Sequence, residues 1–227
     1  MMKLEDRIID FLENNFDLND MDIPDEYRYQ SLPLCIMDAV FSIGVRYTST
    51  ANTVRRYCEL FDLKMNRDCN GYPSIKEQHT ISQFIENINN YTAERFAKNI
   101  NKQRTSSRNG ILKINAVLEW AEIFRKNGIE TFQDYSEKFN LKIEQELKKV
   151  KGQNSGISIA YLKMLCGDEN VLKPDRHILR FFESLADGAA FDAQEIIERV
   201  VGKLSETYSQ ITVRAIDYKI WRYMKEN

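Results

Sequence analysis

Residues that break helices or hold metals are scarce in this 227-residue chain: it has 9 Gly, 4 Pro, 4 Cys and 2 His. So little Gly and Pro excludes a linker-rich chain, and a 43% hydrophobic content excludes a disordered one. Cys35, Cys58, Cys69 and Cys166 lie far apart with no C-x-x-C pair. That pattern argues against a zinc ribbon or an iron–sulfur loop and leaves buried, reduced thiols as the expectation. No run reaches the roughly 18 uninterrupted apolar residues of a membrane span. The longest candidate, Leu32 to Val45, is interrupted by Asp38. The opening MMKLEDRIIDFLENN is acidic and helix-patterned, unlike a secretory or transit peptide, which predicts a cytoplasmic protein. A charge surplus is also missing, since 32 Lys+Arg stand against 34 Asp+Glu for a net charge of −2. Nucleic-acid-binding proteins usually carry a basic excess.

What charge there is lies unevenly. Residues 1–30 hold nine acids against three bases, a balance of −6, which leaves +4 on the remaining 197. Within the remainder, Arg95, Lys98, Lys102, Arg104, Arg108 and Lys113 face one acid, Glu94. The centre of that stretch, Asn101 to Gly110, has no apolar residue and is expected to be an exposed loop. It is either a solvated connector or a phosphate-contacting loop, because Arg, Ser and Asn are residues that bond backbone oxygens.

Hydrophobic periodicity is helical almost throughout, and no alternating strand pattern, repeat or low-complexity tract stands out, so the expected fold class is all-α. Leu4, Ile8, Ile9, Phe11 and Leu12 form one stripe, in an acidic N-terminal segment set at residues 1–31. A helical domain is expected over 32–227. Pro33 opens a strongly apolar helix, and a second ends near Leu60. Ile114 to Phe124 repeats the three-to-four spacing before an Asn127-Gly128 stop. Further helices run through Ile143 and Leu147 to Val150, over Ile157–Leu165, from Pro174-Asp175 onward, and over about Ala193–Tyr208 and Val213–Met224.

The most informative segment is Leu147 to Ser158. A helix ends at Val150, Gly152 and Asn154 supply residues that tolerate positive φ, and an apolar helix follows at once. Such a hairpin aims the free backbone N–H groups of the second helix at solvent, where they and the helix dipole favour a phosphate. Lys148, Lys149 and Lys151 add positive charge. An ordinary two-helix turn is the alternative. After it comes Pro174-Asp175-Arg176-His177-Ile178-Leu179-Arg180, with Asp175 at the mouth of a helix.

Together these residues resemble the helix-hairpin-helix DNA glycosylase superfamily, to which endonuclease III and the alkylpurine glycosylases belong. The hallmark L-x-x-L-P-G-V-G-x-K-T-A followed by V-D-x-H-V-x-R is matched by Leu147, Val150, Gly152, Asn154, Gly156 and Ser158, then by Asp175, His177, Ile178 and Arg180. Lys113 to Ala116 is similar to the start of a long helix in that family, and the likeness covers most of residues 32–186. The resemblance implies a two-lobed helical fold with the helix-hairpin-helix at about 141–166. It implies double-stranded DNA as partner, a monomer, a nucleoid location in a prokaryote, and no membrane. Gly152, Gln153, Asn154, Ser155 and Gly156, with Lys149 and Lys151, would contact the DNA backbone. Val45, Arg46 and Tyr47 fall where the family inserts a side chain into the stack, within a Ser42–Ser49 loop. Tyr161, Trp120 and Tyr29 are base-pocket candidates because bases stack on aromatics.

Departures sharpen the expectation. Val150-Lys151 replaces Leu-Pro, and Gly156 stands where bifunctional members carry a Schiff-base lysine. Without that amine the implied activity is monofunctional, hydrolysing the N-glycosidic bond of a flipped-out damaged or mismatched base. Asp175 would stabilise the cation that develops on the sugar and orient the attacking water. It is also a good N-cap, and both roles can hold. His177 is expected to be a packing residue. The resemblance requires no cofactor and no iron–sulfur cluster, and implies one monovalent cation, K⁺ or Na⁺, on backbone carbonyls of Val150, Gly152 and Ser155. A non-catalytic helix-hairpin-helix DNA-binding protein is the alternative function.

Overall fold

A computed structural model describes residues 2–24, 27–68 and 71–226. Among these residues the fold is all-α: twelve α-helices and a short 3-10 helix at Ile75–Glu77, no strand, and two isolated bridges, Tyr29 with Asn66 and Arg104 with Leu112. No helix among them is long and apolar enough to cross a membrane. The chain divides into two compact units, Asp25–Cys166 and a discontinuous unit of Met1–Pro24 with Gly167–Asn227.

The larger unit is built around α2 (Leu32–Phe41), all ten of whose residues are buried. Pro33 sits in the first turn, where its missing N–H costs nothing. Against α2 pack α3 (Tyr47–Phe61), α6 (Lys113–Lys126) and α9 (Ile157–Leu165), with α4 (Ile81–Tyr91), α5 (Ala93–Asn99), α7 (Phe132–Lys138) and α8 (Leu141–Lys149) outside them. α6 buries Ile114, Val117, Trp120, Ala121 and Phe124 on one face. Each large buried side chain of this kind stabilises the fold by roughly 1.5–3 kcal/mol. Past its end the chain turns at Gly128, whose φ is +68°. The Trp120 indole N–H donates to the Leu147 carbonyl at 3.1 Å, beside the Val150 N–H that the same oxygen accepts at 3.2 Å, and so ties α6 to the end of α8. α4, α5 and α7 lie outside the sequence expectation. Two of them open with capping boxes, Thr80 with Gln83 and Thr131 with Asp134.

The smaller unit consists of α1 (Leu4–Asn15), α10 (Arg176–Leu185), α11 (Ala193–Leu204) and α12 (Val213–Glu226). Ile8 and Leu12 of α1 share its core with Phe181, Phe182, Ile197, Val200, Ile216 and Ile220. Glu5 and Asp6 pair with Arg199 and Lys203, each at 2.7 Å, and Arg7 pairs with Asp187. Exposed pairs like these are screened by water and contribute little, so the apolar stripe is what holds α1. The compact units divide at 24/25 and 166/167. α1 needs the apolar faces of α10 and α11, which only the C-terminal segment supplies.

This division sorts the charge. The Asp25–Cys166 unit has 21 Lys+Arg against 16 Asp+Glu, net +5, and the other has 11 against 18, net −7.

Candidate nucleic-acid interface

α8 and α9 form the expected helical hairpin. Asn140 caps α8 by accepting the N–H groups of Lys142 and Ile143 at 3.0 and 3.3 Å. The turn closes through Gln153 N–H to Val150 C=O at 2.9 Å and Gly156 N–H to Gln153 C=O at 3.2 Å. Positive φ occurs at Gly152 (+89°) and Gly156 (+76°) but not at Asn154. The left-handed tolerance assigned to Asn154 from sequence is thus used two positions later, by Gly156. Gly152, Asn154 and Ser155 are exposed, and their N–H groups meet no acceptor among the described residues. Gln153 differs from its neighbours: it is buried, and its Oε1 accepts the Ser158 hydroxyl, so its side chain braces the turn from inside.

The hairpin lysines divide by role. Lys148 pairs with Glu144 at 2.8 Å, and Lys163 meets the same carboxylate at 2.6 Å. These hydrogen bonds outweigh burial and hold the Glu144 carboxyl below its ordinary range. Lys149 and Lys151 are exposed and make no ion pair among the described residues.

The Asn101–Gly110 stretch is a loop, as expected, and with Ile111 and Leu112 it is held as an ordered ribbon by the bridge between Arg104 and Leu112. Thr105 N–H donates to Ile111 C=O at 2.9 Å, Lys113 N–H to Gln103 C=O at 2.8 Å, and Ile111 N–H to the Thr105 hydroxyl at 3.2 Å. The Arg104 guanidinium clamps the Gly110 carbonyl through two bonds, at 3.0 and 2.6 Å. Lys113 anchors the base of the ribbon. It is almost wholly buried, and its ammonium donates to the carbonyls of Phe41 (2.9 Å) and Ile43 (2.7 Å) and to Gln103 Oε1 (3.4 Å). It thereby caps the C-terminal end of α2, where a cation is favoured. Burial without an anionic partner brings its pKa down to about 8.

Beyond that cap lies the Val45–Tyr47 segment. Arg46 is exposed at the N-cap of α3, and Val45 and Tyr47 are half-buried. The Tyr47 ring lies against Tyr27, with centroids 5.2 Å apart. Tyr161 and Tyr29 are core residues, and both hydroxyls donate to Asp38 Oδ2, at 3.1 and 2.9 Å. Burial, with the Asp38 charge beside them, pushes both phenols well above their usual range. Trp120 is fully buried. None of these three rings presents a solvent-facing platform. Cys35, Cys58 and Cys166 are buried, while Cys69 lies outside the described residues.

In the smaller unit, Asp175 is the N-cap of α10. Its Oδ1 accepts the N–H groups of His177 and Ile178 at 2.8 and 3.2 Å, and its Oδ2 makes no hydrogen bond among the described residues. His177 Nε2 accepts from Arg176 Nε at 3.4 Å. Behind Asp175 sits Asp217 of α12, buried, accepting Lys173 N–H at 2.9 Å, while Asp175 N–H donates to Lys173 C=O at 2.7 Å. Burial first, then the Asp175 charge, raises the Asp217 carboxyl to about 7 against the opposing Lys173 N–H.

A family model described as a domain of unknown function (DUF8548) matches residues 6–225. The chain belongs to that family. The DUF8548 match runs from α1 to α12 and so includes both compact units, the acidic as well as the basic. Neither curated proteins nor solved structures yield a match.

Sequence reasoning missed Asp217. Its signal was a carboxylate on the buried stripe Val213, Ile216, Asp217 and Ile220, a position that an amphipathic helix reserves for apolar residues.

Proposed function

We propose that this protein is a monofunctional DNA glycosylase of the helix-hairpin-helix kind. The observation that carries the reading is the Val150–Gly156 turn. Its exposed N–H groups at Gly152, Asn154 and Ser155, flanked by uncompensated Lys149 and Lys151, suit a DNA phosphate. Arg46, exposed ahead of α3, is the side chain best suited to fill the gap left by a flipped base. Asp175 acts on the sugar. Its Oδ1 is held by the helix terminus, and Oδ2 is left to stabilise the developing cation and orient the water. Two features speak for water over a lysine nucleophile. A side chain at Gly156 would combine φ +76° with a 3.2 Å approach to Lys148 Cε, and the Lys163 amine is committed to Glu144. The carbonyls of Gly152 and Ser155 accept no hydrogen bond among the described residues, and that of Val150 accepts one. Lone pairs there fit a K⁺ or Na⁺ ion, which would neutralise charge at the DNA backbone.

The test is base release from duplexes bearing uracil, hypoxanthine, oxidised guanine, alkylated purines or G·T mismatches, read as strand breakage after alkali. Release that Asp175→Asn abolishes is expected. No release on any of these, or full release by the variant, refutes the reading. The segregation of positive charge into the hairpin-bearing unit favours a second reading, a non-catalytic DNA-binding protein. Salt-sensitive binding without base release distinguishes it.

A further inference from the structure

The ribbon Asn101–Leu112 has no part in the reaction proposed above, yet it touches the hairpin at its tip. Thr105 Cβ lies 2.4 Å from where a side chain on Gly152 would begin, so only a glycine admits this approach. The contact brings together two exposed, polar, basic segments separated by about forty residues of sequence. On the ribbon these are Lys102, Arg104, Ser106, Ser107, Arg108 and Asn109. On the hairpin they are Lys149, Lys151, Asn154 and Ser155.

We propose that the ribbon and the helix hairpin form one continuous binding face for the sugar-phosphate backbone of a nucleic acid, with Lys102 and Arg108 contacting phosphates beside those held by the hairpin. This rests on the nucleic-acid reading of the hairpin, though not on its catalysis.

Three observations carry it. No acidic residue occurs between Arg95 and Leu118, and among the described residues Lys102, Arg108, Lys149 and Lys151 make no ion pair. Like charges held side by side repel, so a surface that keeps them uncompensated is suited to a polyanion. Rigidity is the second. The Arg104 clamp, the Thr105 bonds and the fit of Gly110 against the Ser106 backbone, 2.2 Å from an added Cβ, fix the ribbon before any ligand arrives. Less ordering entropy is then lost on binding. The third is chemistry. Ser, Asn and free backbone N–H groups interleaved with Lys and Arg are donors for phosphate oxygens, and no exposed aromatic or apolar group stands among them to bind a protein or a lipid tail.

The experiment is fluorescence anisotropy of a labelled random-sequence DNA duplex titrated with the full chain across a range of KCl concentrations. The proteins compared are wild type, K102A/R108A, K149A/K151A and the charge-preserving K102R/R108K, with circular dichroism as a folding control. Each phosphate contact contributes about 0.9 to the slope of log K against log salt. K102A/R108A should therefore flatten the slope by about 1.8 and weaken binding at least roughly tenfold at low salt, as should K149A/K151A, while K102R/R108K keeps the wild-type slope. If K149A/K151A weakens binding and K102A/R108A does not, the shared face is overturned and the hairpin reading survives. If both lower the slope but no lesion is excised, the face stands and the glycosylase reading falls. Absence of DNA binding by the wild type, or preferential capture of anionic phospholipid vesicles, overturns the inference.

Discussion

Asp217→Asn isolates the pH dependence that a buried carboxylate gives this fold. The Asp217 carboxyl lies in the interior of the smaller unit and is raised from 3.8 to about 7, by burial first and then by the charge on Asp175. The folded protein therefore holds this proton more tightly than the unfolded chain does. The resulting stability is fully present below about pH 3.8 and is lost as pH rises through about 7, the reverse of a salt-bridged Asp. A difference of about three pKa units corresponds to about 4 kcal/mol, of which about 3 kcal/mol falls between pH 4.5 and 8.5. Asn has no proton to lose and keeps an oxygen to accept Lys173 N–H. Urea unfolding of wild type and variant across that range is the assay. The variant should gain on the wild type steadily as pH rises, by about 3 kcal/mol in all. Removing the neighbouring charge with Asp175→Asn should move the wild-type loss to lower pH. Parallel stability curves for wild type and Asp217→Asn would refute the reasoning, because they would mean that Asp217 ionises alike in folded and unfolded chains.

Three further outcomes are expected. Gly152→Ala places a methyl group against Thr105 at φ +89° and should destabilise the larger unit by about 1–3 kcal/mol in thermal melts. Lys113→Met leaves the Phe41 and Ile43 carbonyls without their shared donor and should cost about 2–4 kcal/mol in chemical denaturation. Asp175→Ala should lose about 1 kcal/mol of helix capping whereas Asp175→Asn should lose almost none, so thermal stability separates the structural role of this residue from base release.

Helices with dense, regular stripes were legible in the sequence: α2 from its apolar run behind Pro33, α6 from its spacing and its Asn127-Gly128 stop, and α10 from the Asp175 cap. α4 carries a legible signal too, since Ile81, Phe84, Ile85 and Ile88 keep the spacing and Thr80 and Gln83 form a capping box. α5 and α7 are only seven residues each, about two turns, too short for periodicity to register. At the candidate site, local chemistry could be read and partnership could not. Gly152, Asn154 and the flanking lysines announced a turn, but that Thr105 packs on Gly152 is a long-range fact. The same limit applies to Lys113, which looked like one more cation in a basic stretch and is a buried cap for a helix seventy residues earlier. Tyr161 and Tyr29 looked like stacking platforms, and their hydroxyls instead serve one buried carboxylate, Asp38.

The smaller unit is assembled from the two ends of the chain, and that has a consequence for synthesis. α1 leaves the ribosome well ahead of the helices that cover Ile8 and Leu12, which arrive only after residue 176. The Asp25–Cys166 unit is contiguous and can complete its core while α1 still waits as an uncovered amphipathic helix. Pairing across so much intervening chain is slow, because the loop must close before the contacts reward it. In that interval the nascent chain displays an apolar stripe next to five carboxylates, Glu5, Asp6, Asp10, Glu13 and Asp17. Those acids, which add little to the finished fold, keep the waiting helix soluble and apart from other copies of itself.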